Sequence, residues 1–132
     1  MIVVDASVLA NALADHGCDG GVAGARLSAG DDLVAPDLVD VETVAVLLKR
    51  SMAGDLSKNR CSAAIDDLED LELVGYPALP LTRRTFELRD NVTAYGAVYV
   101  ALAERLDRPL VTANQLLAAA PGISCSVEVL AT

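Results

Sequence analysis

Short apolar runs alternate with helical patterns along the chain. The runs IVV, LVA, PLVTA and CSVEVL predict strands, and LVGY is a further candidate; the wholly apolar IVV is typical of a strand buried on both faces. Between them, apolar residues recur at three- and four-residue spacing, which predicts helices over residues 6–14, 19–28, 37–53, 57–72, 80–90, 93–106 and 115–120. Strands that alternate with helices pair in parallel, so we expect a three-layer α/β/α domain with a central, mostly parallel sheet of four to five strands.

The helix predicted over residues 93–106 is apolar almost all round, which indicates a central, buried position. No linker, repeat or low-complexity segment divides the chain, and we expect a single domain over residues 1–132.

Composition narrows the class of protein. The chain is 53% hydrophobic with a mean hydropathy of +0.41, which excludes disorder, and no apolar run approaches the roughly 18 residues of a membrane span. The letters ALA at residues 12–14 resemble a signal-peptidase site, but no basic residue precedes them and Asp5 interrupts the apolar run. We therefore expect a cytoplasmic protein.

The cysteine and histidine content argues against thiol, zinc and triad chemistry. Cys18, Cys61 and Cys125 are odd in number, far apart and without a C-x-x-C pair, which favours reduced, packed thiols. The single histidine, His16, lies in the loop-like stretch DHGCDGG and has no evident nucleophile to activate.

The net charge of −9 argues against broad, nonspecific binding to phosphate backbones. It does not exclude a nuclease, because a bound divalent cation reverses the sign of a carboxylate cluster. Two other phosphate chemistries fit poorly. The stretch DGGVAG lacks the spacing of a dinucleotide site, and the letters DAS after the first strand lack the second acid of a phosphoryl-transfer receiver or phosphatase.

Asp5 and Asn114 each follow a predicted strand. In open parallel sheets, ligands bind beyond the carboxyl ends of the strands, where strand order reverses. If these two strands are neighbours, the two side chains share one crevice. The alternative is that each residue simply caps the following helix, because Asp and Asn are favoured N-cap residues.

Glu42 and Gly96 stand out on their helices. The neighbours of Glu42 at three- and four-residue spacing are all apolar, so it points inward, whereas Asp40 points outward. A buried carboxylate must be neutralised, paired with an arginine or bound to metal. Gly96 interrupts a run of good helix formers at a cost of about 1 kcal/mol, which indicates either close helix packing or a lost side chain.

Three stretches, MIVVDASVLANAL, APDLVDVETVAVLLKR and LRDNVTAYGAVYVALAERLDRPLVTANQLLAAAPGI, resemble the PIN-domain toxins of VapBC toxin–antitoxin systems in order and spacing. That family shows a first strand ending in Asp, an inward Glu on the third helix, a helix of the form Y-D-A-x-Y-x-A-L-A and a strand ending T-A-D. The resemblance covers essentially the whole chain.

The resemblance assigns residues one at a time. Asp5 matches the first family acid and Glu42 the second, whereas Gly96 stands at the Asp of Y-D-A and Asn114 at the Asp of T-A-D. Two of the four acids are therefore replaced. Ser7 and Thr112 match hydroxyl positions beside the acids.

By resemblance, the chain is a magnesium- or manganese-dependent endoribonuclease that cuts structured RNA, a transfer or ribosomal RNA. Asp5 and Glu42 would be its metal ligands and Asn114 a weak one, so we expect weak metal binding and little or no cleavage. Arg83, Arg84 and Arg89 are candidate RNA contacts, with a solvated helix face as the alternative. A noncatalytic PIN scaffold that binds antitoxin or RNA is the alternative function.

The resemblance also implies partners. It implies a homodimer, and a heterotetramer or larger assembly with a cognate VapB-type antitoxin that lays a helix or extended segment into a groove near the site. The apolar helices predicted over residues 6–14 and 37–53 are candidates for that groove, with core packing as the competing explanation.

Overall fold

The computed structural model describes residues 1–130; residues 131 and 132 of the predicted domain lie outside it. Five strands are present: β1 (Ile2–Val4), β2 (Leu33–Pro36), β3 (Val74–Tyr76), β4 (Leu110–Thr112) and β5 (Val127–Val129). Each of the five predicted apolar runs contributes one of them. The residues of β1, β2 and β4 are all buried, as expected for strands covered on both faces.

Within residues 1–130, seven α-helices connect the strands: α1 (Ala6–Ala14), α2 (Cys18–Leu27), α3 (Val39–Met52), α4 (Lys58–Asp70), α5 (Thr82–Glu87), α6 (Ala94–Leu106) and α7 (Gln115–Ala119). Their ends agree with the predicted ends to within two residues, apart from α5. Ser57 and Thr93 cap α4 and α6, because each hydroxyl accepts a hydrogen bond at 3.2 Å from the amide three residues later.

The helix predicted over residues 80–90 is the one substantial error. A short 3-10 turn, Leu79–Leu81, holds Pro80, and α5 then ends at Glu87. The amides of Asn91 and Val92 both bond to the Leu88 carbonyl, so the chain turns there. This turn buries Leu88 and Val92 in the core, and that tertiary gain outweighs continuation of the helix.

The sheet is parallel throughout the described strands, in the order β3-β2-β1-β4-β5. From β1 the chain moves outward to β2 and β3, and then returns to the other side of β1 to form β4 and β5. Strand order therefore reverses between β1 and β4, where Val3 pairs with Leu110 and Val4 with Val111. A parallel α/β sheet opens its crevice at this point.

Helices flank the sheet, which confirms the predicted α/β/α fold class. Helix α1 packs against α2, α3 and α4, and α6 packs on β1, β2 and β4. Seven consecutive residues of α6, Ala97 to Ala103, are buried, which confirms its central position. Within residues 1–130, no helix combines the length and apolar character needed to cross a bilayer.

Candidate active site

Asp5 lies directly beyond β1, and its carboxylate is held by residues of α1 and by the last residue of β4. Its Oδ1 accepts hydrogen bonds from the Ser7 hydroxyl at 2.6 Å and from the Val8 amide at 3.2 Å. Its Oδ2 accepts a hydrogen bond from the hydroxyl of Thr112, the last residue of β4. The Val8 bond makes Asp5 the N-cap of α1, so the capping interpretation holds. The Thr112 bond goes further, because it joins Asp5 to the neighbouring strand across the switch point.

Ser7 extends this network to the backbone after β4. Its hydroxyl donates to Asp5 and accepts a hydrogen bond from the Ala113 amide at 3.1 Å. Ser7 and Thr112 therefore fix both the position and the rotamer of the Asp5 carboxylate. The sequence singled out these three residues, and the fold brings them into direct contact.

Glu42 points inward from the first turn of α3, as predicted, and Asp40 is exposed. Its Oε1 accepts a hydrogen bond from the Tyr99 hydroxyl at 2.9 Å, whereas its Oε2 is buried and has no hydrogen-bond partner among the described residues. The partner that fixes Glu42 is therefore a tyrosine and not the arginine considered as an alternative. A buried carboxylate oxygen without a partner is costly, which marks a position where a ligand would be stabilised.

The two carboxylates interact electrostatically. Burial raises the pKa of Asp5 above its ordinary value, although hydrogen bonds from Ser7, Thr112 and Val8 partly offset this. Burial also raises the pKa of Glu42; the Tyr99 hydrogen bond lowers it in part, and the negative charge of Asp5 raises it further. The pocket therefore disfavours two negative charges unless a cation is present.

Tyr99 was not singled out from the sequence. Burial raises the pKa of its phenol far above the ordinary value, and the charge of Glu42 contributes to that rise, so the hydroxyl stays protonated and donates. A sequence signal existed, because Tyr99 follows Gly96 by three residues and thus lies on the same face of α6.

Asn114 caps α7. Its side-chain Oδ1 accepts a hydrogen bond from the Leu116 backbone amide at 3.0 Å, and its backbone amide donates to the Thr112 hydroxyl oxygen at 3.1 Å. The backbone of Asn114 is therefore bonded to the Asp5 network, whereas its side-chain oxygen caps α7. The capping alternative is realised here too.

Gly96 lies in the first turn of α6, against α7. A Cβ atom at this position would lie 3.1 Å from Val92 Cγ1, 3.3 Å from Thr93 Oγ1 and 3.4 Å from Leu117 Cδ1. These are tight contacts, so close packing accounts for the glycine in this structure. A larger side chain would require its neighbours to shift by a few tenths of an ångström.

The three arginines proposed as RNA contacts differ in their surroundings. Arg84 makes two hydrogen bonds to Glu104, at 2.7 and 3.0 Å, and one to the Gly122 carbonyl at 2.8 Å. It therefore joins α5, α6 and the segment before β5, which is a structural role. Arg83 and Arg89 are exposed, and their guanidinium carbons lie 5.9 and 4.0 Å from the centre of the Phe86 ring.

A polar cleft opens beside the Asp5 network. It contains an arginine, Arg50, that was not singled out from the sequence. The cleft is lined by Ser7, Asn11, Arg50, Asn114 and further residues that include Asp19. Arg50 lies near the end of α3, and its Nη2 donates to Asn11 Oδ1 at 2.7 Å. A sequence signal was present, because Arg50 follows Glu42 by two helical turns and falls close to the same face.

The two helices proposed as partner grooves are not equally available. Helix α1 is largely buried and is covered by α2, α3 and α4, so core packing explains its apolar residues. Helix α3 instead lines an open groove with Leu38, Val41, Glu42 and, from α6, Tyr95. Val41 and Tyr95 are 75% and 66% exposed, although both are large and partly apolar.

The three cysteines are all free, as predicted, but only two are packed: Cys61 is buried, Cys125 is partly buried and Cys18 is exposed. Within the described part of the chain, no three His, Cys, Asp or Glu side chains converge as a metal-binding group. Asp5 and Glu42 are the two candidate carboxylate ligands that interact electrostatically.

Fold and site together define a parallel α/β protein with carboxylates at its topological switch point. The sequence matches the PIN-domain family over residues 2–123. It is also 40% identical over 127 residues to Ribonuclease VapC1 of Mycobacterium tuberculosis, covering 96% of this chain and 95% of that relative. The chain therefore belongs to the PIN-domain family, among its VapC-type members.

Solved structures agree on the fold. VapC20 of Mycobacterium tuberculosis, a toxin that cleaves the sarcin–ricin loop, superposes with a TM-score of 0.68 at 18% identity and covers 94% of this chain and 97% of its own. VapBC2 from Rickettsia felis, bound to a promoter DNA fragment, superposes with a TM-score of 0.66 at 17% identity and covers 98% of both chains.

Proposed function

We propose that this chain is the toxin component of a type II toxin–antitoxin pair. Its site is that of an endoribonuclease dependent on Mg²⁺ or Mn²⁺ that acts on structured RNA, a transfer or ribosomal RNA, and its activity is impaired by Gly96 and Asn114. Relatives named as VapC ribonucleases, at 30–40% identity over 90% or more of this chain, support the nuclease class. We also propose that it acts in the cytoplasm.

The observation that carries this proposal is the pair formed by Asp5 and Glu42. Asp5 is held rigidly by the Ser7 and Thr112 hydroxyls, and Glu42 presents a buried oxygen that has no hydrogen-bond partner. Magnesium is commonly held by one or two carboxylates, with waters and substrate phosphates completing its octahedron. The donors present therefore fit a weakly held divalent cation.

Each residue has a distinct role in this proposal. Asp5 and Glu42 would hold the cation, which when bound supplies positive charge at the phosphate and a water of lowered pKa. Ser7 and Thr112 orient Asp5, and Tyr99 orients Glu42 through its hydroxyl. Asn114 would add only a neutral oxygen, one of whose two lone pairs already accepts a hydrogen bond from the Leu116 amide.

Restoring the missing acids tests the proposal. The variants are Gly96→Asp, Asn114→Asp, the double variant, and the double variant with Glu42→Gln added. Each is incubated with total bacterial RNA in Mn²⁺ or in chelator, and new RNA 5′ ends are mapped by sequencing. We expect metal-dependent cleavage from the double variant and its loss on adding Glu42→Gln.

The controls address folding and cation affinity. Calorimetric Mn²⁺ titration of the same proteins should show weak binding that strengthens with each acid, because added negative charge attracts the cation. Circular dichroism shows whether the variants that carry Gly96→Asp keep the helical fold. Vigorous metal-dependent cleavage by the unmodified chain would refute the proposed impairment, and inactivity of a folded, Mn²⁺-binding double variant would refute the nuclease assignment.

The alternative function is a noncatalytic scaffold that binds antitoxin or RNA. The use of Asn114 Oδ1 as a helix cap and the tight packing around Gly96 favour it, because each position has a structural role of its own. Retained antitoxin binding, without cleavage by the unmodified chain in Mn²⁺, would identify it. Arg83 and Arg89, both exposed, remain its candidate RNA contacts.

The proposed partners are a cognate VapB-type antitoxin and a second copy of this chain. The open groove lined by Leu38, Val41 and Tyr95 includes Glu42, so a helix or extended segment bound there would cover the site. A basic side chain of the antitoxin placed against Asp5 and Glu42 would bind less tightly than against four acids. Equal antitoxin affinity of the unmodified chain and the Gly96→Asp, Asn114→Asp variant would refute this effect.

A further inference from the structure

We infer that Arg50 is an RNA-binding residue that holds a backbone phosphate next to the scissile one. Arg50 is placed by the C-terminal half of α3, two turns beyond Glu42, and is half-buried. Its Nη2 bond to Asn11 on α1 anchors one end of the guanidinium. This bond uses one of the five N–H donors of the arginine, and a guanidinium can present several of its donors in one plane to a phosphate.

The position of Arg50 connects it to the catalytic end of the sheet. Ser7 lines the same cleft, and its hydroxyl bonds directly to Asp5. Asn11 follows Ser7 by one turn of α1, so the anchor of Arg50 lies about 6 Å along the helix from the Ser7 position. A nucleotide chain that presents one phosphate to Asp5 and Glu42 can therefore present a neighbouring phosphate to Arg50.

Two side-chain amides in the cleft can also donate hydrogen bonds to an anion. The Asn114 side chain uses its oxygen as a cap, which leaves its amino group as a donor, and Gln115 supplies a second amide. The cleft also contains one carboxylate, Asp19. In a chain of net charge −9 with ten lysines and arginines, a cation anchored beside the site offsets the repulsion that RNA meets elsewhere on the surface.

The role of Arg50 rests on the proposed nuclease function, but it concerns binding and can be measured without cleavage. Arg50→Gln, Arg50→Lys and the control Arg108→Gln are compared with the unmodified chain. Arg108 is exposed and precedes the N-terminal end of β4, whereas the cleft lies beyond the C-terminal end of that strand, so its variant matches the loss of charge away from the cleft. The probes are fluorescein-labelled bulk transfer RNA and ribosomal RNA in Mn²⁺ over a salt series.

We expect Arg50→Gln to weaken RNA binding by about tenfold, the order expected for one charge-assisted hydrogen bond. The slope of log affinity against log salt should fall by about 0.7, the value for one phosphate contact on a single strand. Arg50→Lys should keep most of that slope, and Arg108→Gln should keep both affinity and slope. A purely structural role for Arg50 would change the melting temperature but not the salt slope.

Cleavage by the Gly96→Asp, Asn114→Asp variant separates the two claims. In that background Arg50→Gln should raise KM for RNA with little change in kcat, because the contact is to a non-reacting phosphate. Unchanged affinity and slope in Arg50→Gln, with an active double variant, would overturn the role of Arg50 alone. Failure of the unmodified chain to bind either RNA would overturn both that role and the proposed substrate class.

Discussion

Asp5 and Glu42 show how burial and proximity set the chemistry of single residues. Burial raises the pKa of both carboxyls, and the negative charge of Asp5 raises the pKa of Glu42 further. The hydroxyls of Ser7, Thr112 and Tyr99 stabilise the charged forms only in part. Such a pair stores electrostatic strain that a divalent cation would relieve.

This strain predicts how stability depends on pH in the absence of divalent cations. In the unfolded chain the two groups lose their protons near 3.8 and 4.5, whereas the folded chain holds them to higher pH. Their stabilising contribution is therefore complete below pH 3.8 and is lost as pH rises through the folded-state pKa values. The Asp5→Asn, Glu42→Gln variant lacks this loss.

The measurement is urea denaturation of the unmodified chain and of the Asp5→Asn, Glu42→Gln variant at about pH 4 and about pH 7. The contribution of the two carboxyls to stability should differ between these pH values. The free energy of unfolding of the variant, relative to the unmodified chain, should be higher at the upper pH. The hydrogen bonds to Asp5 favour its charged form and so reduce this pH dependence, but they do not reverse it, because burial has the larger effect. The control variant, Asp40→Asn with Glu69→Gln, replaces two exposed carboxylates. A relative stability that is equal at both pH values would contradict the raised pKa values.

At the scale of elements, local sequence signals predicted most helices correctly. The exception is the helix predicted over residues 80–90, where tertiary packing ends α5 at Glu87. The predicted starts at residues 57 and 93 agree with the Ser57 and Thr93 caps, because N-capping depends on neighbours within a single turn. The end of α5 could not be predicted from the local pattern, because the turn after it buries Leu88 and Val92 in a core formed by distant residues. The amphipathic pattern alone continued to favour a helix there.

Two helical glycines give a prediction at this scale. Replacing glycine by alanine inside a helix ordinarily stabilises by about 0.5–1 kcal/mol. Gly24 in α2 has no atom within 4 Å of an added Cβ, so Gly24→Ala should show the full gain. At Gly96 the same methyl meets Val92, Thr93 and Leu117 at 3.1–3.4 Å, so Gly96→Ala should gain less or be destabilising.

Urea denaturation of the two single variants and their combination tests this difference, and effects at well-separated sites should add. An equal gain at both positions would show that the packing around Gly96 relaxes easily. That outcome would favour a lost side chain, and not close packing, as the reason for the glycine.

At the scale of the whole molecule, α3 presents an exposed apolar stripe. Leu48 and Met52 are four residues apart on α3, outside the groove proposed for the antitoxin, and their exposed fractions are 49% and 89%. This is the spacing with which one helix packs against another. Because the VapC resemblance implies a homodimer, we expect two copies of the chain to associate through this stripe.

Sedimentation analysis of the unmodified chain and of Leu48→Glu with Met52→Glu tests the expected dimer. The variant should be monomeric, because charges would be buried without partners. Asn59→Glu with Ala63→Glu, at exposed positions of α4, adds the same charge and should remain dimeric. Higher salt should strengthen the dimer, since each protomer carries a net charge of −9. A monomeric unmodified chain would contradict the prediction.

The amino-acid sequence by itself determined the alternation of strands and helices, the inward direction of Glu42 and the burial of α6. Each of these follows from periodicity over a few turns, because a side chain's direction repeats with the geometry of its own element. The sequence also marked Asp5 and Asn114 as strand-end residues, each with a capping alternative, and both caps are present.

Tertiary structure alone decided which strand ends are neighbours. The order β3-β2-β1-β4-β5 brings Thr112 to Asp5, across more than 100 residues of sequence, and sets Tyr99 against Glu42. It also opens the cleft that holds Arg50. Strand order depends on how distant apolar faces pack together, which no local pattern records. The site therefore becomes visible only when β1 and β4 lie side by side.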